Sequence, residues 1–126
     1  MNWQEIYPQL KDKKSKSQCL AFAIACCDAG AVFTQNQLIL DLISKMKSFD
    51  EHKEEMKNKF YEVCLIRVRA GANTNEKEAA HILIHAIEVA MANNYVSAAG
   101  HSARCGNALS RIDALTCAEL VSMLEK

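Results

Sequence analysis

Proline occurs once in this sequence, at Pro8, and glycine only four times in 126 residues. A sheet protein of that length would need more turn punctuation between its strands. Aromatic residues make up 6% of the chain although 50% of it is hydrophobic. Ala, Leu, Ile, Met and Cys therefore supply the apolar bulk, and Ala, Leu and Met favour helices over strands. Neither sign of charge is in excess, since 15 Lys and Arg face 15 Asp and Glu. A protein whose main partner is nucleic acid needs a net basic surface, so that class is set aside. One basic cluster stands out, KDKKSK, with Lys11, Lys13, Lys14 and Lys16. No aromatic side chains interleave with it for stacking on bases, and it reads as a solvated connector.

Long apolar runs are also missing. The longest, CLAFAIACC, falls well short of the ~20 residues a membrane-spanning helix needs. The start, MNWQEIYPQL, has neither the basic nor the apolar region of a secretory signal, which points to a cytoplasmic protein. Translocation into a host cell without a cleaved signal stays open. The six cysteines (Cys19, Cys26, Cys27, Cys64, Cys105 and Cys117) form no CxxC pair, so no zinc ribbon or thioredoxin-like motif is signalled. Most lie beside apolar neighbours and are expected as buried free thiols. The length suits a single domain over residues 1–126, with enough core to dispense with staples.

What is present is helical periodicity. A short helix over Trp3–Leu10 contains Pro8, so it kinks or ends early. With the connector it makes an N-terminal piece, residues 1–16, that either docks on the bundle or stays peripheral to it. The block SQCLAFAIACCDAG starts at a cap, Ser17, and stops at Gly30, which suits a left-handed C-cap. Its Cys19, Ala23, Cys26 and Gly30 share a face of small side chains. Thr34 with Gln37, and Thr116 with Glu119, match the capping box, flanked by the staples Phe33/Leu38 and Leu115/Leu120. Asp50 caps a charged helix whose inner face holds Met56, Phe60, Val63 and Cys64, with Arg67 among them needing a carboxylate. Asn73 and Glu76 open the next helix. YVSAAGHSARCGNALSRIDA is helical with an interruption near Gly106. The sum is an all-α compact bundle of five to seven helices with short connections.

The segment HILIH, residues 81–85, raises the sharpest chemical question. On a helical wheel His81, His85 and Glu88 fall within an arc of roughly 60°, with Glu78 beside them. Two imidazoles and a carboxylate are credible zinc ligands. A metalloprotease helix needs glutamate directly after the first histidine, and here that residue is Ile82. The plainer reading is a solvated stripe opposite a core, with no metal and no cofactor. His101 and Cys105, also four apart, are the best nucleophile candidate, since histidine can hold a thiol as thiolate and Arg104 could assist. No orienting carboxylate or oxyanion loop accompanies them, so a catalytic set is not expected.

Exposed apolar groups then become the clue to function. Trp3, Ile6, Tyr7 and Leu10 form one apolar edge, which is core if the first helix docks and an aromatic anchor for a partner if it does not. Trp3, Tyr7, Leu40 (on a polar side) and Tyr95 (at a boundary) are the candidate partner contacts. A helical face can also pack on its own copy, giving a homodimer. In size and texture, with capped helices such as TQNQLILDLI and TCAELVSMLEK and free thiols, the chain resembles the small all-helical inhibitor of the Legionella ubiquitin-deamidating effectors. The resemblance covers the whole chain in style and transfers no individual residue. It implies binding to a bacterial effector enzyme and blocking its access to ubiquitin. The leading expectation is thus a non-catalytic helical module that binds and regulates another protein. The alternatives are a cysteine enzyme using Cys105 and His101, or a metal-binding module using His81, His85 and Glu88.

Overall fold

The computed structural model describes residues 1–69, 71 and 73–125. Seven α-helices account for most of them, and no strand occurs among the described residues. In chain order they are α1 (Trp3–Asp12), α2 (Lys16–Ala31), α3 (Gln37–Lys45), α4 (Phe49–Val68), α5 (Thr74–Met91), α6 (Tyr95–Ile112) and α7 (Ala114–Met123). A single 3₁₀ turn, Met46–Ser48, carries α3 into α4. The all-α bundle expected from periodicity is the fold, at the upper end of five to seven helices.

The bundle is built around α5. Every residue from Ala79 to Ile87 is buried, and α5 packs against α2, α3, α4 and α6. No amphipathic stripe survives over that span, which is what a helix surrounded by neighbours requires. The small face of α2 meets it as expected: Cys19, Ala23, Cys26 and Gly30 are all buried. Gly30, however, is not a left-handed cap. It lies inside α2, and a Cβ there would stand 2.9 Å from Ile82 Cδ1. Its missing side chain is what lets α2 approach α5. Gly106 likewise interrupts nothing, because α6 runs through it unbroken. A Cβ there would meet Ile6 Cδ1 at 2.7 Å and the Phe22 ring at 3.1 Å.

α1 docks. Ile6 and Leu10 are fully buried, and the helix continues past Pro8 to Asp12. Burying two such side chains contributes about 1.5–3 kcal/mol each. The connector is therefore only residues 13–15: Lys11 still belongs to α1 and Lys16 already to α2. Lys14 turns the chain with φ +50°, and Ser15, not Ser17, caps α2 by accepting from Gln18 N at 3.2 Å.

The other caps shift in the same way. Asn36, not Thr34, caps α3, accepting from Ile39 N at 3.2 Å, while Thr34 accepts from Asn36 N. Asp113, not Thr116, caps α7, accepting from the Thr116 N–H and hydroxyl. Leu115 is consequently exposed rather than stapled. Asp50 sits in the first turn of α4 behind Ser48. Asn73 does cap α5, through Asn75 N at 2.7 Å. Arg67 is exposed rather than set into the core, so it needs no carboxylate. Five cysteines are buried and Cys64 is half-buried, all as free thiols.

Candidate functional site

The polar stripe of α5 is not solvated, contrary to expectation. His81 and His85 are only 8% and 9% exposed, because α6 lies over them. α6 can approach so closely because most of its buried positions are small, Ala98, Ala99, Ala103, Cys105 and Ala108 among them. Ser102 even donates its hydroxyl to the carbonyl of Cys19 at 2.7 Å, tying α6 to α2.

This packing delivers His101 to α5. His85 Nδ1 and His101 Nδ1 stand 3.1 Å apart. Glu88, one turn beyond His85, reaches both: Oε2 lies 3.3 Å from His101 Nδ1, and Oε1 lies 3.6 Å from His85 Nδ1. His85, Glu88 and His101 thus form a two-imidazole, one-carboxylate cluster drawn from two helices, with ligand atoms all within 4.8 Å of one another. His81 is not in it. Its ring packs on the His85 ring with centroids 4.7 Å apart, and the His85 and His101 rings stack at 5.3 Å. Glu78, also beside the stripe on the wheel, pairs instead with Arg111 at 2.9 Å.

Burial sets the protonation of these rings. It pulls His85 down to about 3, helped by His81, His101, Arg67 and Arg104. Burial also pulls His81 down to about 4, with Arg67, Arg111 and Arg104 adding to it. Both are neutral imidazoles at neutral pH, the form that ligates metals. Two facing Nδ1 atoms cannot both present lone pairs without something positive between them. One shared proton satisfies the pair, and so does a metal cation. The Nδ1–Nδ1 separation of 3.1 Å is close to the roughly 3.3 Å edge of a tetrahedron around zinc with ligands at about 2.0–2.1 Å, and Glu88 offers one oxygen to each ring.

Glu88 and His101 also line a cleft of about 570 Å³ between α4, α5 and α6. Phe60, Ile87 and Met91 give it an apolar wall, and Lys57 and Ser97 contribute polar groups. A metal in the cluster would therefore have an approach for a further ligand.

The proposed thiol pair does not assemble. Cys105 is completely buried and donates its thiol to the Ile82 carbonyl at 3.3 Å. Burial pushes that thiol well above its ordinary range, with Cys26 and Cys27 beside it adding to the effect. A reactive cysteine needs the opposite environment. His101 is turned to α5, and the Arg104 guanidinium lies over the Trp3 ring at 5.4 Å.

The candidate partner contacts are mostly drawn inward. Trp3 is 38% exposed and meets Tyr7 edge-on at 6.2 Å; Tyr7, Leu40 and Tyr95 are only half-exposed. Among the exposed apolar side chains, three line up on α4. Tyr61, Leu65 and Val68 are 70%, 46% and 71% exposed, and their i, i+4, i+7 spacing makes one stripe. That periodicity was visible in the sequence, but it is the same pattern that a buried face shows.

Comparison with family models, with curated proteins and with solved structures finds no match to this chain.

Proposed function

We propose that this chain binds a divalent transition metal, zinc foremost, through His85, Glu88 and His101. The carrying observation is that two imidazoles and a carboxylate from two helices bring ligand atoms within 4.8 Å of one another. Imidazole donors suit zinc and its first-row neighbours. Three protein ligands beside a cleft leave room for an exchangeable fourth, the pattern of sites that act on or hold a ligand rather than closed structural sites. This departs from the expectation of no metal, and it replaces His81 of the alternative triad by His101.

Isothermal titration with zinc, backed by elemental analysis, tests it. One equivalent should bind. His101→Ala should lose it, whereas His81→Ala should keep it. The reverse pattern would return the site to α5 alone, and no uptake by the unaltered chain would end the metal reading.

A second reading is supported by the exposed α4 stripe: a helical module that binds and regulates another protein. The resemblance to the inhibitor of ubiquitin-deamidating effectors implies an effector enzyme as that partner. Affinity capture from the native cell should then recover a stoichiometric protein that Tyr61→Glu fails to retain. Recovery of nothing would count against this reading, and concentration-dependent dimerisation lost in Tyr61→Glu would assign the stripe to a second copy.

A further inference from the structure

Resting on the metal reading, we propose that the cleft beside His85, Glu88 and His101 takes a small organic carboxylate with an apolar body, its carboxylate on the metal. Three helices each contribute a same-face pair to this cleft: Lys57 and Phe60 from α4, Ile87 and Met91 from α5, Ser97 and His101 from α6. The lining divides by chemistry. Glu88 and His101 form the polar end where the metal is held, while Phe60, Ile87 and Met91 line the apolar part. A volume of about 570 Å³ falls in the range of small-molecule sites.

Charge selects the anion. A dication offset by Glu88 alone leaves one positive charge, and the Lys57 ammonium adds a second. The nearest carboxylate to Lys57 is Glu54, at 3.7 Å and largely solvated, which neutralises it only weakly. A neutral or cationic ligand would leave the positive charge unanswered. An anion with no apolar body would leave Phe60, Ile87 and Met91 uncovered.

The probes are acetate and octanoate, titrated into the protein loaded with cobalt(II), whose visible absorption reports a change of ligand on the metal. Octanoate should perturb the spectrum and bind at least tenfold more tightly than acetate, since each two buried methylenes contribute roughly that factor. Met91→Ser should erase most of the octanoate advantage and leave acetate unchanged. Phe60→Ala should act in the same direction, and Lys57→Gln should weaken both anions. Circular dichroism checks that each variant is folded. Cobalt uptake with no response to octanoate, or equal affinity for the two anions, would overturn this proposal and leave the metal reading standing. No cobalt uptake would overturn both.

Discussion

Gly100 and Gly106 lie six residues apart in α6 and are under opposite constraints. A Cβ at Gly106 would press on Ile6 Cδ1 at 2.7 Å and on the Phe22 ring at 3.1 Å, and both neighbours are buried. A Cβ at Gly100 would meet only Arg104 Nη1, at an ordinary 3.7 Å. Gly106→Ala should therefore lose about 1–2 kcal/mol after its helix-propensity gain, because the core must shift. Gly100→Ala should gain about 0.5–1 kcal/mol. Urea unfolding of the pair checks both signs. The histidines make a second residue-scale case. In the metal-free chain His81 and His85 titrate at about 4 and about 3 when folded, and near 6.5 when unfolded. The unfolded chain then binds more protons between those values, so stability is complete above about pH 6.5 and is lost as pH falls towards 4. The charged groups Arg67, Arg104 and Arg111 around the rings steepen that loss. Melting temperature should fall by several degrees from pH 7 to pH 4.5, and His81→Phe should flatten the fall. A flat profile in the unaltered chain would contradict the neutral, buried state. A helical wheel states which residues share a face, and His81, His85 and Glu88 do share one. It does not state what lies opposite, so neither the burial of that face nor the arrival of His101 could be read from it.

Among the elements, periodicity located the helices well, while the residue starting each one was harder to read. Thr34 and Thr116 satisfy the capping-box pattern, yet the caps are Asn36 and Asp113. The pattern was ambiguous in both places, since Asn36 and Asp113 are equally good cap residues within three positions. What decides between them is tertiary. Asn36 uses its Oδ1 on Ile39 N and its Nδ2 on Glu76 Oε1 of α5 at 3.0 Å, joining two helix starts through one side chain. Asn36→Ala should cost about 1–2 kcal/mol, more than Asn36→Ser, whose hydroxyl keeps the cap and loses only the link. Equal losses in chemical denaturation would show that the link, not the cap, carries the effect. The end of α1 gives the opposite sign. Lys14 holds φ +50°, a region that disfavours every residue with a Cβ, at the turn following Leu10 and Lys11. Lys14→Gly should stabilise the chain by about 0.5–1 kcal/mol, the relief of that strain exceeding the added freedom of the unfolded chain. A loss of stability would mean that the lysine side chain, not the backbone, matters there.

For the molecule as a whole, the same packing that makes α5 central also makes the cluster on it sensitive to global stability. The apolar edge of α1 was legible in the sequence but its docking was not, because a wheel does not say what lies opposite; in the fold α1 seals α6 with Ile6 and Leu10. Removing residues 1–12 would expose those contacts along with the Phe22 ring and the glycine surface beneath them. The expected loss is about 3–6 kcal/mol, a large part of the roughly 5–15 kcal/mol that holds a domain of this kind together. The truncated chain should thus unfold at much lower urea than the intact one, and at its own midpoint in urea metal binding becomes visible as folding. A ligand at a hundredfold excess over its Kd, bound only by the folded state, adds about 2.7 kcal/mol. Zinc should therefore restore helical circular dichroism to the truncated chain, and His101→Ala in the same background should stay unrestored. If the truncated chain is as stable as the intact one, α1 is not part of the core. If it is destabilised and zinc restores the His101→Ala variant equally, the metal is acting somewhere other than between α5 and α6.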